Sequence, residues 1–277
     1  FLLPGSAVLA QNESIRLSIT PPLIKNNVEP GQLWKSQIKV INNNSEAVTI
    51  YVQTRDFRGR MENGTVEFLD FDPSEAENDF VLLSSWIDIL DDSIEIPANE
   101  SRDVPFVVVV PDNASPGGHY AAILAGTNPP EGAGQGSTIK VSSLLASLLL
   151  VNVKGEVTEE GSIREFSTDS SFYSRPDVDF SLSFANQGNT HIQPQGEIKV
   201  TNLFNKEQGV ITINHGTVTG NVLPGEIRKW NFKWEGENNL LDMGRYRADL
   251  VLTFGEQNGK QTVNQSLYFW VIYWQPL

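Results

Sequence analysis

Three histidines, His119, His191 and His215, are the first residues on which acid–base or metal chemistry could rest. They are scattered along the chain and form no His-x-x-x-His pair of the kind that grips zinc from one helical face. No Gly-x-Ser-x-Gly elbow and no phosphate-cradling glycine loop accompanies them. His119, beside Gly117-Gly118, reads as the start of a strand, whereas His191 after a turn and His215 before Gly216 read as exposed loop residues. Cysteine is absent, which excludes disulfides, Cys-ligated zinc and a thiol nucleophile. Carboxylates are plentiful, but a glycosidase pair is defined by separation in space. Here Asp and Glu gather in turns, where charge keeps a surface soluble. Residues 70–79 place several oxygens in a short loop, as a hard cation requires. The loop lacks the glycine that follows the third ligand of an EF-hand, and Val81 stands where the bidentate Glu belongs, so it reads as a solvated acidic loop with calcium as the alternative. The sequence thus assigns no catalytic, metal or cofactor residue, and the expectation is a protein that is not an enzyme.

Aromatic side chains carry more information. Trp34, Trp230 and Trp234 share strand faces with aliphatic residues and read as core, while Trp86 and Tyr173 are less determined. Near the end of the chain, Tyr268, Phe269, Trp270, Tyr273 and Trp274 crowd into seven positions. Tyr and Trp collect at the membrane–water boundary because one end of each ring is apolar and the other hydrogen-bonds. These five are therefore read as membrane-proximal aromatics. An equally good reading of residues 266–271 is a last core strand with Leu267, Phe269, Val271 and Tyr273 pointing inward, and the two readings are compatible. The apolar run is shorter than the ~20 residues of a spanning helix, so a membrane anchor is expected beyond Leu277. At the other end, residues 1–10 read as the remnant of a secretory signal, with the mature chain beginning at Gln11.

The elements that carry these residues are strands. Period-two alternation recurs along all 277 residues and no long stretch shows a helical period. In residues 34–42, Trp34, Ile38 and Val40 share one face while Lys35, Gln37 and Lys39 share the other. Residues 48–57 follow a turn-forming Asn-rich stretch, as a hairpin requires. Further strands are expected over 101–110, 119–127, 139–153, 178–185, 191–202, 209–213, 227–234, 245–254 and 262–272. Near residues 154–162 a hydrophobic strand gives way to a short acidic, glycine-bearing stretch. The expectation is all-β, with two tandem immunoglobulin-like β-sandwiches over residues 11–154 and 155–277. The loop 128–136 reads as a flexible tip between strong strands. Net charge is −14, which repels phosphate backbones, so nucleic acid is excluded as a partner. Asn12, Asn43, Asn63, Asn99, Asn113 and Asn264 head Asn-x-Ser/Thr triplets, a number that so Asn-rich a chain brings in part by chance, and they are read as unmodified.

The order Ser18-Ile-Thr-Pro-Pro22, Val28-Glu-Pro-Gly-Gln32, Val40-Ile-Asn-Asn-Asn-Ser45, Ile96-Pro-Ala-Asn-Glu100 and Val110-Pro-Asp-Asn-Ala-Ser-Pro-Gly-Gly-His-Tyr-Ala-Ala-Ile123 resembles the N-terminal domain of the WxL-interacting protein family. Asn186-Gln-Gly-Asn-Thr-His191, Pro194-Gln-Gly196, Val222-Leu-Pro-Gly225 and Gly244-Arg-Tyr-Arg-Ala-Asp-Leu-Val-Leu252 are similar to the membrane-proximal domain of such proteins. The resemblance spans roughly residues 15–274 and lies in the order of the motifs, each of which is also turn chemistry. It implies a wall-associated adhesion scaffold on the extracellular face of the bacterial envelope. Its first domain would meet peptidoglycan or another wall polymer, its second another cell-surface protein, and it would be anchored in the membrane. Residues 139–153 also resemble the long strand by which periplasmic pilus chaperones donate an edge to a client. The alternatives are therefore a wall-polysaccharide enzyme and a strand-donating assembly chaperone or structural subunit.

Overall fold

The computed structural model describes residues 16–60, 65–69, 82–129, 144–216, 220–237, 243–256 and 259–272. Residues 1–10, the acidic loop 70–79, all but the first two residues of the tip 128–136, the stretch 139–143, and Tyr273 and Trp274 lie outside them.

The first sandwich runs β1 (Leu17–Thr20), β2 (Leu23–Val28), β3 (Leu33–Asn42), β4 (Val48–Arg60), β5 (Thr65–Phe68), a 3-10 turn (Leu83–Trp86), β6 (Ile87–Ile89), β7 (Ser93–Ile96), β8 (Ser101–Val109), β9 (Gly117–Gly126) and β10 (Leu144–Val153). One sheet has the order β1-β3-β8-β6 and the other β2-β10-β9-β4-β5, with β7 also on β4. The second sandwich runs β11 (Gly161–Thr168), β12 (Phe172–Tyr173), β13 (Asp177–Asn186), β14 (Gln195–Thr201), β15 (Glu207–Ile213), β16 (Ile227–Glu235), β17 (Gly244–Phe254) and β18 (Gln261–Val271). Its sheets are β11-β13-β16 and β12-β18-β17-β14-β15. Each domain divides its strands as immunoglobulin-like sandwiches do, with the first, second and fifth main strands facing the third, sixth and seventh. In each, the opening strand breaks and its second half crosses to run parallel to the last strand, β2 on β10 and β12 on β18. The fold is all-β, two tandem immunoglobulin-like sandwiches.

Alternation explains the cores. Ile38 and Val40 of β3 lie beside Val104, Phe106 and Val108 of its neighbour β8 on the inner face of one sheet, with Trp34 set edge-on to Phe106 at 5.8 Å. Trp86 is buried beneath the 3-10 turn, held there by Asp56, whose carboxylate accepts the Ser84 N–H at 3.0 Å and the Ser84 hydroxyl. In the second core Phe180, Leu182 and Phe184 share one face of β13, and Trp234 and Tyr173 are buried with them. Trp230 rests at the rim, half-buried, with the Arg228 guanidinium 5.5 Å from its ring.

The period of two also corrects the reading of the terminal aromatics. Phe269 is 0 % exposed, registered opposite Tyr246, with ring centroids 5.4 Å apart, and it also touches Phe180, Trp234 and Tyr173. It belongs to the core and is withdrawn from the membrane-proximal set, whereas its neighbours Tyr268 and Trp270 point out, 54 % and 41 % exposed. The expected strand 191–202 begins only at Gln195, because residues 191–194 turn aside to the domain junction and make a lone bridge, Ile192 to Val222. Phe269→Ala should cost about 3–5 kcal/mol of second-domain stability, as large aromatic truncations in cores do. Tyr268→Ala should cost less than about 1 kcal/mol, as exposed substitutions do. Denaturant melts giving equal costs would contradict the observed facing of β18.

Candidate functional site

A strand whose two faces are both apolar must be covered twice. β10 meets this condition: Leu149, Val151 and Val153 enter the first core, and Ala146, Leu148 and Leu150 point the other way. Neighbouring strands extend the second face, with Ala122 and Leu124 from β9, Phe57 from β4, Val66 and Phe68 from β5 and Leu23 from β2. Leu223 of the second domain packs against this face and closes part of it. What remains is a groove of about 400 Å³ between the sandwiches. Its floor is low because Ala146 and Gly59 carry little side chain, and it ends at Asn221, Glu226 and Arg228.

One side of the groove is an open strand edge. β2 pairs with β10 only from Leu148 to Val153. Leu144–Ser147 have β9 on one flank and, among the described residues, no strand on the other. The Leu148 N–H points toward β2 and reaches the Pro22 carbonyl at 2.9 Å. Ala146, two residues earlier, points its N–H and C=O the same way, since backbone groups alternate sides along a strand. The uncovered edge is apolar, and Leu144 is 51 % exposed.

The angle between the domains is fixed by buried polar groups. Asn152 donates toward Asn27 at 3.4 Å and accepts from the Thr190 hydroxyl at 3.2 Å. Asn186 donates to the carbonyls of Thr190 and Val222 at 2.7 and 2.8 Å, and the Gly118 N–H reaches the Asn189 carbonyl at 2.8 Å. Glu226 accepts the Leu223 N–H at 2.8 Å and abuts Gly59 of β4. Burial raises the pKa of Glu226 above the ordinary carboxylate value, against the Leu223 bond and the Arg228 charge, which lower it. Glu159, also buried, accepts the Glu256 N–H at 2.9 Å. Asp56, Glu159 and Glu226 therefore each hold backbone in place, a structural use of a carboxylate.

His191 departs from the sequence reading. It is packed into the junction, its ring edge-on to Tyr120 at 5.9 Å, and burial together with the Lys25 charge lowers its pKa to about 4. It lines, with Lys25, Gln193, Gln195 and Glu256, a second, polar cavity of about 650 Å³. The burial is created by docking of the two domains, so no local pattern could reveal it. His119 lies in β9 as expected, its ring 4.6 Å from Trp86, and His215 is exposed. His191 and His215 line the same cavity while His119 stands apart, and no cluster of three or more His, Cys, Asp or Glu suited to a metal occurs among the described residues.

The junction has a pH signature. An imidazole held neutral to about pH 4 when folded, but free to protonate near 6.5 when unfolded, lets the unfolded chain bind the extra proton in between. Stability should fall by about 2–3 kcal/mol as pH drops from 6.5 to 4 through this residue. Asp56 and Glu226, with raised values, act in the opposite sense. His191→Gln should flatten that acid-side fall in thermal melts, and an unchanged pH profile would contradict burial of His191.

Neither a protein-family model nor a curated protein matches the chain. Among solved structures it is similar to the class 5 fimbriae chaperone CfaA, with 14 % identity over 95 % of this chain and 100 % of that one and a TM-score of 0.41. It is also similar to the YadV chaperone, with 9 % identity, coverage of 91 % and 99 %, and a TM-score of 0.42. The CupB2 chaperone of Pseudomonas aeruginosa shares 9 % identity, with coverage of 90 % and 100 % and a TM-score of 0.39.

Proposed function

We propose that this chain is a noncatalytic protein of the bacterial envelope that binds another protein by strand addition, taking an extended segment of its client along the open edge of β10. The observation that carries the reading is the combination at residues 144–150: an unpaired backbone edge beside a row of outward apolar side chains, Leu144, Ala146, Leu148 and Leu150. Main-chain hydrogen bonds along such an edge supply affinity, and pockets for alternate side chains supply selectivity. The groove has room for about two large apolar side chains of the client, spaced two residues apart on the face turned toward Phe57 and Phe68. CfaA and YadV are named chaperones, but the proposal rests on the edge and the groove.

The lining argues against a wall polymer as the occupant of this groove. Sugars require hydrogen-bonding groups beside an aromatic platform, and here aliphatic residues dominate while polar groups are confined to one end. The adhesion scaffold suggested by the WxL-interacting resemblance remains compatible in its broader sense, a surface protein engaging a protein partner.

A photocrosslinking residue at Leu144, tested in intact envelopes, should give a discrete protein adduct. Adding Ala146→Pro removes the N–H that faces the open edge and leaves the β9 ladder intact, so the adduct should fall about tenfold with little change in melting. Equal crosslinking with and without the proline would refute strand addition. Release of soluble fragments from labelled peptidoglycan by the purified chain would refute the noncatalytic reading.

A further inference from the structure

The exposed aromatics among the described residues are not spread over the molecule. Phe172, Phe204, Tyr268 and Trp270, together with Leu203, Met243 and Ile272, all lie at one end of the second domain's five-stranded sheet. Register brings them together: Phe172 of β12 lies opposite Trp270 of β18, Trp270 lies opposite Arg245 of β17, and Thr201 of β14 pairs with Arg247 just before the chain reaches Leu203. Leu203 comes within 4.0 Å of where a Cβ on Gly244 would stand. With strands about 4.8 Å apart, this row spans about 15 Å from β12 to β14.

The apolar residue that projects most is held out deliberately. Phe204 is 75 % exposed, yet its turn is braced: buried Asn202 accepts the N–H groups of Phe204 and Lys206, both at 3.0 Å, and its own N–H reaches the Lys206 carbonyl at 3.0 Å. A fixed turn that offers Leu203 and Phe204 to solvent needs a partner to justify the exposure. Charge indicates which. On a chain of net charge −14, Lys206 and Arg245 at this end have no ion pair among the described residues, and the Arg245 guanidinium lies 4.9 Å over the Tyr268 ring. Aromatic rings flanked by these cations complement a layer of lipid phosphates above hydrocarbon.

We infer that this end of the second domain is a bilayer-docking tip, which inserts Phe204, Leu203, Phe172 and Trp270 at headgroup level and sets Lys206 and Arg245 against anionic phospholipid. The inference is independent of the groove and of any anchor elsewhere. The full chain should cosediment with vesicles of phosphatidylcholine containing about one-third phosphatidylglycerol, and less with phosphatidylcholine alone. Phe204→Asp should weaken partitioning about tenfold, while Val210→Asp, on an exposed apolar residue of β15 away from the tip, should leave it within about twofold. Arg245→Glu, which keeps the apolar residues, should abolish the preference for the anionic vesicles, and this holds the test open should Phe204→Asp unfold. Absence of cosedimentation, or equal cosedimentation of wild type and both tip variants, would overturn the inference. So would self-association of the lipid-free chain that Phe204→Asp dissolves, since the tip would then be a protein contact.

Discussion

Everything in the first domain follows from one sheet that is dry on both faces. β9 and β10 carry apolar side chains inward and outward, so the β1-β3-β8-β6 sheet can cover only half of what they bury. At about 25 cal/mol for each Å² of apolar surface, an uncovered second face is too costly to leave bare. The second domain supplies part of the cover through Leu223, which is why the two sandwiches meet at a defined angle instead of hanging on a free linker. The groove is the part of the face that this docking leaves open.

The junction that sets the angle is made of polar groups whose partners cross from one domain to the other. Asn152 with Thr190, Gly118 with Asn189, and Glu226 against Gly59 are spread along the contact, so a hinge motion would have to break several at once. Buried polar groups left without partners cost more than the bonds return when made, and such a network therefore specifies one arrangement more than it adds stability. His191 belongs to the same logic, a neutral imidazole accepted into the contact because protonation there is resisted by burial.

Much of this was legible in the chain and some was not, for reasons that differ by residue. Alternation in residues 34–42 or 178–185 writes each face directly, and those strands appear where the pattern puts them. β2 escaped the reading because Lys25-Asn26-Asn27 breaks the alternation, and its place beside β10 is a parallel pairing made across 125 residues of sequence. Phe269 had two readings because a row of aromatics looks the same from inside and outside, and only register against Tyr246 separates it from Tyr268 and Trp270. Phe204 carried no signal at all. A lone Phe in a turn is ordinary, and its meaning depends on Asn202 bracing the turn and on β17 and β18 ending at the same level.

The two domains share one topology and differ in how they leave its weak point. In both, the crossing half of the opening strand covers only part of the last strand, so among the described residues each last strand has an uncovered edge: Leu144–Ser147 in β10, and β18 ahead of Trp270. Along β18 that edge carries Gln261, Thr262, Asn264, Gln265 and Ser266, polar side chains of the kind that discourage pairing with a foreign strand. β10 carries Leu144, Leu145 and Ala146 at the corresponding place, beside an apolar groove. An open apolar edge is an aggregation hazard unless a partner is meant to fill it. The same backbone solution has thus been made safe in one domain and left open and apolar in the other, and that open edge lies at the end of β10 away from Asn152, which meets the second domain, whereas the tip of the second domain lies at the end of its own sheet away from that contact. A client held at β10 would therefore sit away from the surface that the tip engages.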